Sequence, residues 1–363
     1  MSEALGVAIV GCGDISRHYA EDLAQYPELR LLGMADLRPE RAVEAAARHG
    51  VAAYAGLPDV LADPRVDIVV NLTVATAHVE VSAAALRAGK HVFSEKPLAL
   101  DPVEARRLVA LARECDKRLG AAPIVPLGEL AAGARACLAE RRLGEVRLAY
   151  ADVNWGRVEA WHPRPQPFYS VGPVFDVAVY PLSLLVSLFG AASRVSAFGR
   201  RLWPARRTLA GEGFEIGQPD FVVALVEFAE GPLLRLTANW YVSSRDRQRG
   251  VSFHGDAGSL WMSNWFQFAG TLEFAAFEAD PDPLPLPATP VKPMRWAYGV
   301  ADMARSVLEG RAHAASAERA AHVVEIAAAI HASLEAGRPL ELPAVAAEGL
   351  LHPPPSGQPP VGK

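Results

Sequence analysis

Asp67-Ile-Val-Val-Asn-Leu-Thr73, followed a helix's length later by Ala88-Gly-Lys-His-Val-Phe-Ser-Glu-Lys-Pro97, decides the fold of this chain. An apolar run, a helical pattern and a second apolar run form one strand–helix–strand unit. Units of this kind present ligand-facing residues at the C-terminal ends of their strands. Lys96 stands at such an end. The chain carries 36 basic residues but only five lysines, at positions 90, 96, 117, 292 and 363, so arginine serves wherever positive charge alone is needed. A lysine can be tuned in pKa and can exchange a proton, which a guanidinium does not do near neutrality. Lys96 is therefore read as a chemical residue rather than a solvated one.

Working outward, short apolar runs near 5–10, 29–35, 67–72, 90–93 and 119–122 alternate with helical patterns near 14–25, 39–49, 75–88 and 101–117. The alternation predicts a doubly wound parallel sheet, covered on both faces. Asp101-Pro-Val-Glu104 supplies an N-cap, a proline in the first turn and an acid three places on. After a further helix over 127–140 the pattern changes to longer alternating strands, at 146–154, 194–201, 221–228, 233–241, 250–254 and 259–262. These predict a second α+β domain with an open, predominantly antiparallel sheet, in which 221–228 and 233–241 form a hairpin through Ala229-Glu-Gly-Pro232. One apolar helix is expected over Pro173–Phe189. The six prolines of 278–293 mark a surface connection, and helices near 295–310 and 316–336 close the fold. The expected division is 1–123 for the first domain, completed by the helix at about 316–336, then 124–340 for the second and a proline-rich tail over 341–363. From Leu351 on, that tail cannot bury enough apolar surface to order itself unless it docks on a neighbour.

A length of 363 residues suits two domains, at roughly 100 to 200 residues each. A formal net charge of −5 argues against a nucleic-acid partner. No basic leader with a long apolar run opens the chain, and no uncharged stretch of about 18 residues follows, so the expectation is a cytoplasmic protein without a membrane partner. Cys12, Cys115 and Cys137 form neither a disulfide framework nor a metal-like grouping with histidine, and no metal site is expected.

Gly11-Cys-Gly13-Asp14-Ile15-Ser16 follows the first strand and opens the first helix, where backbone amides and a positive helix end meet a pyrophosphate. Asp36 ends the second strand, 36 − 13 = 23 positions after the second glycine. A carboxylate there accepts the adenosine ribose hydroxyls and repels a 2′-phosphate, which favours NAD over NADP. Arg38 and Arg41 follow closely and could clasp a phosphate or stack on adenine. Cys12, between the glycines, reads as a small packing residue.

With the glycine loop, Asp36, Thr73-Val-Ala-Thr-Ala-His78 and the AGKHVFSEKP run in order, the chain resembles the Gfo/Idh/MocA oxidoreductases over roughly residues 5 to 340. The resemblance implies a Rossmann domain that binds NAD(P) and an antiparallel α/β domain that supplies most of the substrate pocket. It implies reversible oxidation of a secondary alcohol on a sugar or cyclitol. It also implies that Glu95 lies near the nicotinamide ribose, that Lys96 reaches nicotinamide and substrate, that Lys96-Pro97 is cis, and that Thr73 to His78 lie beside the cofactor. The family's Asp-x-Gly-x-His pattern is matched by Asp176-Val-Ala-Val-Tyr180, with tyrosine where histidine is usual. Members resembling dimeric dihydrodiol dehydrogenase and glucose–fructose oxidoreductase carry tyrosine there. Residues four apart share a helix face, so Asp176 and Tyr180 can address one hydroxyl. A phenol that titrates near pH 10 needs a nearby cation to act as base, and Lys96 is the candidate. Either Tyr180 or Lys96 would take the hydroxyl proton. Val74 stands where proline is common, and 122–128 lacks the polar residues of many relatives.

Trp161 and His162, between the second domain's first strand and the Asp176 helix, suit a polyhydroxylated ligand: a ring covers C–H faces and polar groups bond hydroxyls. Asn239-Trp-Tyr241, Trp261 and Trp265 read as core or subunit-face aromatics, and an open aromatic sheet face predicts a homodimer or homotetramer. The reading is an NAD-dependent dehydrogenase of a sugar, sugar derivative or cyclitol, with Lys96, Asp176 and Tyr180 as catalytic residues. A redox-assisted glycosidase and a catalytically silent NAD-binding sensor or assembly subunit are the alternatives.

Overall fold

Apolar strands from the first third of the chain form a six-stranded parallel sheet. In the computed structural model, which describes residues 4–288 and 292–352, β1 (Leu5–Val10), β2 (Leu29–Ala35), β3 (Ala52–Ala53), β4 (Ile68–Asn71), β5 (His91–Ser94) and β6 (Leu119–Ala121) lie in the order β3-β2-β1-β4-β5-β6. The strands alternate with α1 (Asp14–Leu23), α2 (Pro39–His49), α3 (Leu57–Ala62), α4 (His78–Arg87) and α5 (Pro102–Glu114). Val7, Ile9, Ile68, Val70 and Phe93 are completely buried, as strands covered on both faces require. Each such side chain contributes about 1.5–3 kcal/mol over an exposed one. The Val103 and Glu104 amides donate to the Asp101 carboxylate at 2.7 and 3.1 Å, which is the expected N-cap of α5. The two-residue β3 and the short α3 carry too few residues to show a period.

The second part begins with α6 (Glu129–Ala139) and β7 (Val146–Asn154), then α7 (Gln166–Pro173) and α8 (Val179–Phe189). β8 (Ala192–Arg200) leads to a small hairpin of β9 (Ala205–Arg207) and β10 (Gly213–Glu215). Next come β11 (Phe221–Phe228), β12 (Leu233–Asn239), β13 (Gly250–Gly255), β14 (Gly258–Met262), β15 (Leu272–Ala276) and β16 (Asp282–Leu284). After α9 (Tyr298–Glu309) and α10 (Ala317–Ala336), β17 (Leu340–Glu341) completes a nine-stranded sheet, in the order β16-β15-β14-β13-β7-β12-β11-β8-β17. β11 and β12 pair antiparallel as the hairpin signal predicts. Every neighbour pair is antiparallel except β7 and β12, which are parallel. A long crossover separates those two in sequence, and only such a connection permits parallel pairing.

Two local expectations are corrected. The apolar helix is not one regular element from Pro173: it begins at Gln166, breaks at Gly172 (φ 83°), and makes a π-helical turn over Val174–Ala178 before α8. Gln166–Phe189 is long and apolar enough to cross a membrane, but 83% of its most apolar window is buried in this fold, as in a core helix. The 278–293 connection contains β16, whose Pro283 sits on an edge strand, the one sheet position that tolerates a missing N–H. At the start of the tail, the Arg319 guanidinium donates to the Leu350 and Leu351 carbonyls at 2.7 and 3.1 Å. Its proline-rich remainder from 353 lies outside the described residues.

The chain forms two compact units. The first contains 1–127, 295–321 and 348–363, and the second 128–294 and 322–347. The helix expected to complete the first domain, 316–336, is thus divided, and α9 belongs wholly to the first unit.

Candidate functional site

In the first unit, Ala35, Val10, Asn71, Ser94 and Ala121 are paired across the sheet in one row. The segments at Asp36, Gly11, Leu72, Glu95 and Ala122 therefore leave the strands at one level, on one C-terminal edge. Gly11 has φ 100°, and a Cβ there would lie 2.5 Å from the Leu72 carbonyl oxygen and 2.8 Å from the Thr73 nitrogen, so only glycine fits. A Cβ on Gly13 would meet nothing within 4 Å. Gly13 caps α1 without a side chain, Asp14 is exposed and Ile15 half-buried. The open space at Gly13, beside a helix N-terminus with no side-chain cap, fits a pyrophosphate.

Asp36, expected at the adenosine ribose, is held by backbone amides on both carboxylate oxygens. Its Oδ2 accepts the Cys12 amide at 2.8 Å and its Oδ1 the Arg38 amide at 2.9 Å. The same carboxylate thus shapes the glycine loop, and each oxygen keeps a lone pair for a hydroxyl. Burial, reinforced by the Asp36 charge and opposed by Arg41, pushes the Cys12 thiol up to about 11. A thiol so displaced is a poor nucleophile and redox sensor, which agrees with packing.

Beyond β4, the fully buried Asn71 organises the turn. Its Nδ2 donates to the His78 carbonyl and Ser82 Oγ, both at 3.0 Å, and its Oδ1 accepts from Thr73 Oγ1 at 2.7 Å. His78, expected at the cofactor, is only 1% exposed, with Nδ1 2.7 Å from the Pro97 carbonyl oxygen and Nε2 3.1 Å from that of Thr73. Both ring nitrogens thus face carbonyl oxygens inside the protein, and the residue packs between the Thr73 and Pro97 segments. Val74 is exposed. After β5, Glu95 accepts from Tyr19 Oη at 2.7 Å and from the Lys96 amide at 3.0 Å. Lys96 is half-buried, and Lys96-Pro97 is cis, as is Ala122-Pro123. The only signs of these partners in the sequence are a polar residue that ends an apolar strand, Asn71, and a tyrosine on the first helix, Tyr19.

In the second unit, the π-helical turn holds the half-buried Asp176, and Tyr180 lies 7% exposed in the first turn of α8. π-helical turns are rare and recur at functional sites. Around Tyr180 stands an aromatic array, with the Phe266 ring at 5.0 Å and the Trp265 ring at 6.0 Å. Trp155 joins both, at 5.6 and 5.5 Å, and reaches Trp161 edge-on at 6.2 Å. His162 packs on Phe168 at 4.9 Å, and its Nδ1 accepts the Arg164 amide at 3.1 Å. The array thus connects Tyr180 with Trp161 and His162. Trp265 is buried at 5% exposure, as expected of a core aromatic, and is at the same time part of the array; Trp240 is a fully buried core residue, Tyr241 is exposed, and Trp261 is half-buried on β14. Trp155 lies in Asn154-Trp-Gly-Arg157, a stretch whose aromatic face also suits a polyhydroxylated ligand by sequence, whereas the place of Phe266 beside Tyr180 has no such signal. The one sign of Phe266 is aromatic density in Asn264-Trp-Phe, without a spacing that ties it to Tyr180.

Two descriptions of one family match the chain: "Oxidoreductase family, NAD-binding Rossmann fold" over residues 5–122, and the GFO/IDH/MocA C-terminal domain over 132–261. The chain is 29% identical to the dTDP-3,4-didehydro-2,6-dideoxy-alpha-D-glucose 3-reductase of Streptomyces violaceoruber, over 65% of this chain and 69% of that protein. It is also 29% identical to the trans-1,2-dihydrobenzene-1,2-diol dehydrogenase of Sus scrofa, over 63% and 66%. The solved structure "Levoglucosan dehydrogenase, complex with NADH and levoglucosan" superposes with a TM-score of 0.82, at 20% identity, over 94% of this chain and all of that one. A likeness at that identity shows the fold.

Proposed function

This chain belongs to the Gfo/Idh/MocA oxidoreductases, and from that premise we propose that it is an NAD-dependent dehydrogenase that reversibly oxidises a secondary hydroxyl of a sugar, sugar derivative or cyclitol. One observation carries the proposal: the glycine loop, Asp36, Thr73 and Lys96 leave a single sheet edge at one level. With neighbouring strands about 4.8 Å apart, Lys96 stands about 10 Å along that edge from the glycine loop, a span that suits the two ends of a dinucleotide.

Gly11, Gly13, Asp14 and Ile15 would present amides to the pyrophosphate. Asp36 would take the adenosine ribose, with Arg41 beside it, and Thr73 and Glu95 would line the nicotinamide side. Nicotinamide, when bound, accepts the hydride. Tyr180 or Lys96 would take the hydroxyl proton, while Asp176 orients the substrate and Trp161 and His162 cover its carbon face. A phenol or amine in that role contributes about 10²–10⁴-fold. Names of relatives that act on nucleotide-linked sugars, and a neighbour solved with NADH and levoglucosan, support the substrate class and the cofactor. Asp36 supports NAD over NADP. We further propose a cytoplasmic homodimer or homotetramer formed through the second unit's sheet, on which Phe198 and Leu225 are exposed.

The test is NADH formation with NAD and with NADP, across sugars, inositols, sugar acids and glycosides, from neutral to alkaline pH. Turnover of one class with NAD preferred supports the reading. Silence despite nucleotide binding favours a sensor or assembly subunit, and release of a glycoside's leaving group without net NADH favours a redox-assisted glycosidase.

A further inference from the structure

Arg206 on β9 has no exposed side-chain surface, yet it lies in a polar excursion over 201–220 between two strands of the sheet. Its Nη1 is 2.7 Å from Glu159 Oε1 and donates to Tyr169 Oη at 2.8 Å, its Nη2 is paired with Asp220, and its Nε donates to the Trp203 carbonyl at 3.0 Å. Tyr169 in turn donates to the other Glu159 oxygen. Asp220 is completely buried and also accepts the Leu202 amide at 2.6 Å. One guanidinium between two carboxylates therefore ties three stretches together: the excursion, the helical turn Val158–Ala160, and α7.

A buried network of this kind gives little stability over an apolar replacement, because desolvation offsets the attraction; what it fixes is geometry. The segment it fixes here is the one that carries Trp155, Trp161, His162 and Phe168. Glu159 lies two residues before Trp161, and Tyr169 follows Phe168. A second tie closes the same joint from outside: the Arg157 guanidinium lies 5.4 Å from the ring of Trp203, on the excursion. Beneath it, Val158, Tyr169, Ile216 and Trp240 make a buried cluster, against which Trp155 and Phe168 pack. An apolar cluster alone would let that segment slide; a guanidinium held by two carboxylates in fixed directions does not.

We propose that Arg206 is a positioning residue for substrate specificity, which holds the 155–169 aromatic segment in register through Glu159 and Tyr169 while touching neither substrate nor cofactor. The proposal rests on the dehydrogenase reading for its substrate, but its structural half is tested without turnover. Arg206→Met and Glu159→Gln would be compared with the unaltered protein by NADH titration, near-ultraviolet circular dichroism, and KM and kcat on whichever compound of the panel turns over best. Arg206→Met is expected to raise KM about tenfold or more while kcat stays within about threefold and NADH affinity is unchanged; Glu159→Gln, which keeps hydrogen bonds but loses one charge, shifts KM in the same direction by less. A folded Arg206→Met with unchanged KM and aromatic dichroism overturns the proposal, as does a parallel loss of kcat, KM and NADH binding. If Arg206→Met fails to fold, Glu159→Gln decides by the same criteria. If the panel is silent, the dehydrogenase reading fails on its own, and the dichroism of the tryptophan array still decides whether Arg206 holds the segment.

Discussion

The glycine loop takes its shape from nearby backbone. Gly11 abuts the Leu72 carbonyl, the Cys12 amide is held by Asp36, and parallel strands set the level of each turn. Tyr180's surroundings are gathered from positions 155, 161, 265 and 266, on segments that share no motif. The first arrangement suits the constant ligand of the proposed function, whose pyrophosphate needs amides and space and little side-chain chemistry. The second is built almost wholly of side chains, the means by which a pocket is altered while its scaffold stays.

The sharpest way to break this comparison is Lys96→Met. If the dinucleotide edge also carries the chemistry, turnover falls about 10³-fold while NADH titration is unchanged. Unchanged turnover would move the proton chemistry wholly to the Tyr180 side. A paired test on the loop follows. Gly11→Ala places a methyl against backbone at φ 100° and is expected to cost about 3 kcal/mol, read as a fall in Tm. Gly13→Ala, at φ −78° with open space around it, is expected to leave Tm unchanged and weaken NADH binding, because the methyl enters the pyrophosphate's room. Equal effects on Tm would contradict this division between a folding glycine and a binding glycine.

Asp36→Ala is smaller and tests whether one carboxylate serves loop and ligand together. Loss of its hydrogen bonds is expected to raise the NAD dissociation constant about tenfold and to narrow the preference over NADP. If Asp36→Asn, which keeps an acceptor for one amide, restores loop stability but not the preference, the two roles separate.

What the sequence made legible follows from the same contrast. The parallel sheet, the cap at Asp101, the glycine turn and the strand end at Lys96 are encoded by residues close in the chain, where period and spacing are visible. His78 shows the limit: its motif position put it near the cofactor, but its burial between the Thr73 and Pro97 carbonyls appears only once α4 is packed. Trp265 shows it too: its burial is legible from an aromatic beside a strand, but its neighbour Tyr180 is not. The break at Gly172 and the π-helical turn were hidden because a widened turn leaves an apolar sequence unchanged. Arg206 was hidden for another reason: nothing in Ala205-Arg-Arg207 marks which arginine is inside.

The smallest effect concerns stability of the first unit. His91 opens β5, where its Nδ1 accepts the Arg118 amide at 2.9 Å, a role that requires an unprotonated nitrogen. Burial, with Lys117 and Arg118 nearby, lowers its pKa from 6.5 to about 4. The folded protein thus resists protonation while the unfolded chain accepts it. Stability is therefore full above pH 6.5, and it falls progressively as pH drops from about 6.5 to about 4, below which both states are protonated and the slope ends. Buried His313, lowered to about 4 by desolvation, acts with the same sign in the same unit. His91→Asn keeps an acceptor for Arg118 and removes one titrating group, so urea midpoints measured across that window should show a shallower slope than the unaltered protein. An identical slope would assign the acid sensitivity to His313 or to the second unit, where burial also lowers His254 and His331.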